Sequence, residues 1–115
     1  MLRFYAYKGC DGCRKARKWL DAREISFEEI PVREQPPSIK ELKQASKQLG
    51  LKALFNTSGM DYRQLGMKDK LPTMSESKAL HALNDSGNLV KRPFLIGDNI
   101  CLTGFKEDIW AEALG

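Results

Sequence analysis

The order of elements in this sequence predicts an α/β fold: a strand–helix–strand unit, a largely helical middle, then a hairpin and a closing helix. Three observations carry that reading. Leu2, Phe4 and Ala6 alternate with Arg3, Tyr5 and Tyr7, the period of a strand. Cys13, Ala16, Trp19 and Leu20 recur at helical spacing directly afterwards. Phe94–Ile96 and Ile100–Leu102 flank Gly97-Asp98-Asn99, the signature of a hairpin.

The elements follow in order. After the first strand, Lys8-Gly9-Cys10-Asp11-Gly12 forms a tight loop, and a helix is predicted from Cys13 to Arg23. Ser26 to Val32 reads as a second strand, stopped by Pro31 and then by Pro36-Pro37. Such a unit makes its two strands parallel, with a right-handed connection. Ser38 and Glu41 form a capping box, so a helix begins there and runs to about Leu49, before Gly50. Asn56-Thr57-Ser58-Gly59 is a turn, a short helix is predicted near Asp61–Leu65, and another runs from Ser75 to about Leu83. Lys106 to Leu114 is a last amphipathic helix with Glu107 and Asp108 in its first turn. The expected product is a sheet with helices on both faces.

A chain of 115 residues fits one domain, 1–115, large enough to bury a core without staples. No apolar run approaches the roughly 20 residues of a membrane span. The start of the chain lacks a signal-peptide pattern, so a cytoplasmic location is expected. A net charge of +4 is too modest to imply nucleic acid, and no helix-turn-helix is legible. The excess sits locally: Lys8, Arg14, Lys15, Arg17 and Lys18 stand against Asp11 alone between positions 8 and 18. That cluster is either a solvated helix face or an electrostatic setting for the cysteines.

Three cysteines, Cys10, Cys13 and Cys101, are too few and too odd in number for a secreted disulfide scaffold. Cys10 and Cys13 stand at the start of a helix, where unpaired backbone N–H groups and the helix dipole favour an anion. Thiolate is the nucleophilic form, and Lys8 and Arg14 flank the pair. Cys13 shares the inward face with Ala16 and Leu20, whereas Cys10 lies in the loop. Cys10 is therefore the expected attacking thiolate and Cys13 the resolving thiol. Zinc would need four ligands, but the third cysteine is 88 positions beyond Cys13 and the only histidine is His81. No metal site is expected. Cys101 reads as a core residue and His81 as a helix-surface residue. Pro93 must sit at a strand start or edge, and on base rates its bond to Arg92 would be trans.

A cysteine pair between a first strand and first helix is how thioredoxin-like folds begin. Cys10-Asp11-Gly12-Cys13-Arg14-Lys15-Ala16, Arg92-Pro93 and Gly104-Phe105-Lys106-Glu107-Asp108 together resemble the arsenate reductase/Spx family over essentially the whole chain. Phe55-Asn56-Thr57-Ser58-Gly59 is similar to its uncharacterised thiol-reductase-like branch. The resemblance implies a thioredoxin-like core at 1–35 and 89–115 with a helical insertion at 36–88. It also implies that Pro93 is cis and that Arg92 faces Cys10. Cys10, Cys13 and Arg92 are then the catalytic residues, with Lys8, Arg14, Asn56 and Pro93 around the substrate or anion. Arsenate reductases of the family keep a histidine before the reactive cysteine, where this chain has Lys8 or its neighbours. Of their three arginines only Arg92 matches; the second falls near Asn56 and the third near Thr103 or Gly104, with Arg63 a candidate substitute for the second. Losing two charges from an oxyanion clamp makes arsenate reduction a poor expectation. The resemblance leaves two functions: a reductase of small thiols or disulfides, drawing on glutathione or another thiol donor with no tightly bound cofactor, or an Spx-like redox regulator that binds RNA polymerase. Neither calls for direct nucleic-acid or membrane contact, and a monomer is expected.

Overall fold

The computed structural model describes residues 2–115. Four strands form one mixed sheet in the order β2-β1-β3-β4. They are β1 (Leu2–Ala6), β2 (Phe27–Pro31), β3 (Phe94–Ile96) and β4 (Cys101–Thr103). β1 runs parallel to β2, with Leu2 opposite Phe27 and Ala6 opposite Pro31. β3 is antiparallel to both of its neighbours. The helices are α1 (Asp11–Ala22), α2 (Ile39–Leu49), α3 (Met60–Gln64), α4 (Met67–Lys70), α5 (Glu76–Asp85) and α6 (Glu107–Leu114). Short 3-10 turns at Lys52–Leu54, Leu71–Thr73 and Gly87–Leu89 link the middle helices.

The alternation of β1 divides the interior in two. Phe4 and Ala6 point to one face and pack with Cys13, Ala16, Trp19, Leu20 and, from α6, Trp110. Tyr5 points to the other face, where Leu42, Leu54, Phe55, Leu80 and Leu83 cover the sheet. The middle segment is thus the layer that closes one whole face. It is also stitched to the strand that follows: Lys91 N–H donates to Leu54 O, and Asn56 N–H donates to Leu89 O, both at 2.8 Å. Among the described residues no helix is long and apolar enough to cross a membrane.

Local signals explain the boundaries. The capping box forms: Glu41 N–H donates to Ser38 Oγ at 3.1 Å, and Ser38 N–H donates to Glu41 Oε1 at 3.0 Å. Glu41 also accepts from the Tyr5 hydroxyl at 2.7 Å, which ties α2 to the central strand. Gln44 donates to Gly97 O at 2.8 Å and fixes the hairpin turn to the same helix. Pro31 ends β2 on the sheet edge, where a missing N–H leaves no ladder bond unmade. α1 begins at Asp11, two residues before the expected start. The apolar pattern opens only at Cys13, but Cys10 already caps the helix, so Asp11 and Gly12 are inside it. α4 and the 3-10 turns were not anticipated, because four residues or fewer carry no readable period. His81 is exposed on α5, with Nδ1 2.8 Å from Ser77 O.

Candidate functional site

The site is built where β1 hands over to α1. Cys10 N–H donates to Tyr7 O at 3.2 Å, which closes the loop after the strand. Cys10 then takes an extended conformation (φ −94°, ψ 119°), and its Sγ accepts the Cys13 N–H at 3.2 Å. A thiol thus does the work usually given to a serine or aspartate oxygen at a helix start. Negative charge on that sulfur faces the positive end of a 12-residue helix. Gly12 adjoins both Pro93 and the first cysteine: a Cβ there would make ordinary contact, 3.6 Å from Pro93 Cδ and 3.9 Å from Cys10 Sγ. The Arg92–Pro93 bond is cis, as the family resemblance implies. The hairpin strand enters the sheet beside the cysteine loop, since β3 pairs with β1 and Pro93 adjoins Gly12.

The two thiols differ as expected. Cys10 is half-buried and Cys13 is fully buried. Burial pushes the Cys13 thiol up to about 12, and its hydrogen bond and charge interaction with Cys10 add to this. A backbone hydrogen bond from Tyr7 and the charge of Arg92 act in the opposite sense. Cys101 is buried in the core on the other side of the sheet, and burial pushes it up to about 11. The sheet separates it from the pair.

These environments set a chemical order. In the native protein at neutral pH, iodoacetamide is expected to label Cys10 and spare Cys13 and Cys101, read by peptide mass spectrometry. Labelling of Cys13 ahead of Cys10 would reverse their roles. The raised values also fix a pH dependence. Folded Cys13 and Cys101 hold their protons while the unfolded chain loses them from about pH 9. Their contribution to stability is intact below that pH and lost as pH rises through about 11 to 12. The melting temperature should therefore fall between about pH 8 and about pH 10.5.

Arg92 lies close to the cysteine pair. Its charge reaches Cys13, and its guanidinium carbon lies 5.3 Å from the centre of the Tyr7 ring. Arg33 stacks on that ring at 3.6 Å. The ring in turn covers Gly9, where a Cβ would come within 2.7 Å of Tyr7 Cε2. Arg92 lines a cavity with Asn56, so the structure brings those two expected residues together. It does not bring Lys8 or Arg14 there. Arg14 is paired with Asp11 on the exposed face of α1. Lys8 lines a different cavity with Glu29 and Glu34. Thr103 and Gly104 line a third with Lys52, Lys91 and Lys106, apart from Arg92, and Arg63 is exposed on α3. Tyr7, Arg33, Asp61 and Asn88 were missed by the sequence reading. Each is an ordinary residue in its local context, and only the fold collects them.

A mixed sheet with helices on both faces and a Cys-x-x-Cys pair capping the first helix defines a thioredoxin-like protein. The ArsC family matches residues 5–113, and the chain belongs to that family. It is 47% identical to the uncharacterized protein YusI of Bacillus subtilis over 113 residues, 96% of each chain. It is 32% identical to the global transcriptional regulator Spx of Enterococcus faecalis over 111 residues, 94% of this chain and 82% of that one. Among solved structures, an ArsC-family related protein from Bacteroides fragilis superposes with a TM-score of 0.91 at 36% identity, covering 96% of this chain and 95% of the other.

Proposed function

We propose that this protein is a thiol–disulfide oxidoreductase that uses Cys10 to attack and Cys13 to resolve. The observation that carries the reading is the asymmetry of the pair: an accessible sulfur on the helix cap, and a buried, protonated thiol one turn behind it. Cys10 thiolate attacks one sulfur of a substrate disulfide, forms a mixed disulfide and expels the other half as a thiolate. That capping removes the negative neighbour that helps to keep Cys13 protonated. Cys13 then gives its proton to the departing thiolate or to solvent and attacks Cys10 Sγ. The second half of the substrate leaves, and Cys10 and Cys13 are joined. Two electrons have passed from the pair to the substrate. Two molecules of an external thiol of the glutathione class return them. Arg92, with Pro93 behind it, steadies the anionic partner, and Asn56 offers its amide in the same cavity. Arsenate reduction is not part of the reading, since the resemblance matches only Arg92 to the three arginines of an oxyanion clamp.

The likeness to Spx supports a second reading, a redox switch that docks on RNA polymerase. One experiment separates the two. Cys13→Ser should trap covalent mixed disulfides between Cys10 and its substrates, released by reductant on a non-reducing gel. Non-covalent recovery of RNA polymerase, with no trapped thiol adduct, would favour the regulator.

A further inference from the structure

The cavity at Thr103 and Gly104, about 620 Å³ in volume, opens along the edge strand β4. It is distinct from the one that Arg92 lines with Arg33, Asn56, Asp61 and Asn88. Its wall carries three lysines, Lys52, Lys91 and Lys106, and no carboxylate. None of the three forms a salt bridge among the described residues, although Glu107 and Asp108 follow Lys106 directly. Lys91 is half-buried, and its stem lies over Gly104, where a Cβ would stand 3.1 Å from Lys91 Cε. A cleft lined by one sign of charge draws the opposite sign. The floor is apolar: Phe55 is buried, Phe105 half-buried, and Leu49 exposed at the rim. The wall also offers backbone. Gly104 N–H donates to Pro93 O, so alternate residues of β4 bond to β3, and Thr103 turns its own N–H and C=O to the open side. Cations, an apolar floor and an open strand edge together fit an extended acidic peptide, which uses all three. A nucleic acid would use the lysines and leave the strand edge idle.

The cavity sits at the cysteine end of the sheet. β1 and β4 point the same way, because β3 is antiparallel to both, and Tyr5, Phe94 and Thr103 stand abreast. Gly104 is bonded to Pro93 at 2.9 Å, and Pro93 adjoins Gly12 beside Cys10. Two strand spacings, about 10 Å, separate β4 from β1. About three residues of extended chain cover that distance. We infer that this cavity docks an acidic segment of a protein substrate, about three residues from the disulfide that Cys10 attacks. The inference rests on the oxidoreductase reading and names its substrate class. Carboxylates of the segment pair with Lys52, Lys91 and Lys106, its backbone lies along Thr103, and its cysteine reaches Cys10. Cys10 thiolate bonds to that sulfur, and the other sulfur of the substrate leaves as a thiolate. Cys13 gives up its proton and closes on Cys10, the docked half leaves as a thiol, and two electrons have passed to the substrate.

The test uses the full reduced chain and two cysteine peptides of equal length, each capped as a 2-pyridyl disulfide. One carries glutamates about three residues from its cysteine, the other glutamines. Release of 2-thiopyridone should be about tenfold faster from the acidic peptide at low salt, the worth of three exposed ion pairs. The ratio should approach one in about 1 M salt. Lys52→Gln/Lys106→Gln, at two exposed positions, should cut the ratio to about twofold, since one of three pairs is left. Lys15→Gln/Lys18→Gln removes the same charge from the exposed face of α1 and should leave it near tenfold. An equal fall in both variants would mean diffuse attraction and overturn the site. Replacing the acidic peptide's cysteine by serine gives a ligand that binds without reacting, and it should shift the Thr103, Gly104 and Lys106 amides in ¹⁵N NMR. A single-stranded oligonucleotide that displaces this ligand at equal concentration would mark a plain polyanion site and overturn the peptide. The two readings fail separately. Release from both peptides at one rate sinks the docking site and leaves the oxidoreductase, whereas amide shifts with no release from either peptide sink the oxidoreductase, and this substrate with it.

Discussion

Cys10→Ser is expected to lower turnover of a small disulfide by about 1000-fold or more while leaving the fold intact. A hydroxyl is a poor nucleophile at neutral pH, and removing the attacking atom of a unit that acts together takes nearly all of its rate. The structural side is benign. Cys10 serves the fold as an N-cap acceptor for Cys13 N–H, and serine is among the best residues for that task. Its side chain is only half-buried, so the lost packing is small. Circular dichroism should therefore show an unchanged melting temperature in the variant whose thiol-driven reduction of bis(2-hydroxyethyl) disulfide has vanished. Cys13→Ser differs in kind: steady turnover falls, yet one mixed disulfide per chain should still form in a burst. Persistent turnover in the Cys10 variant would mean that another group attacks. Cys101 is a poor candidate, since it is buried across the sheet.

The frame of the molecule was legible where a local rule is strong. The Ser38–Glu41 capping box, the Ser75 cap, the alternation of β1 and the hairpin glycine appear where the residues place them. Short elements were not, because a four-residue helix such as α4 repeats nothing. The start of α1 slipped for a physical reason: its cap is a sulfur, outside the usual set of capping oxygens, and Gly12 interrupts the helical pattern.

The site was only half legible. The motif gave the two cysteines and their inequality, since the same helical period that buries Ala16 buries Cys13. The setting of the cations was less legible. The two arginines of the basic cluster are held by nearby carboxylates, Arg14 by Asp11 and Arg17 by Glu29. The charge that acts to lower the Cys13 thiol includes that of Arg92, far away in sequence. Arg33 and Asn88 flank no motif at all. They meet because the chain after β2 and the turn before β3 come together, and that contact depends on one glycine.

That glycine supplies the second large effect. Gly87→Ala is expected to destabilise the protein by about 3 kcal/mol, the upper end for overpacking a tight interior. A Cβ at position 87 would lie 1.9 Å from Val32 O, 2.6 Å from Val32 C and 2.8 Å from Arg33 Cα. All three are backbone atoms, so no side chain can swing aside. Val32 is itself fixed, fully buried and donating its N–H to Ala6 O at 3.1 Å. The Gly87–Leu89 turn must therefore lift away from the end of β2. For a chain of this size the melting temperature should drop by about 10 °C. Gly66→Ala provides the contrast. Gly66 has φ +65° with nothing within 4 Å of its Cβ position, so its cost is backbone strain alone, about 1 kcal/mol. Because Arg33 and Asn88 adjoin the strained contact, the Gly87 variant should also disturb the amide signals of Asn88 and Asn56, and the Gly66 variant should not. A Gly87→Ala protein that melts within about 2 °C of the parent, with those signals unmoved, would show that the close approach does not hold the cavity together.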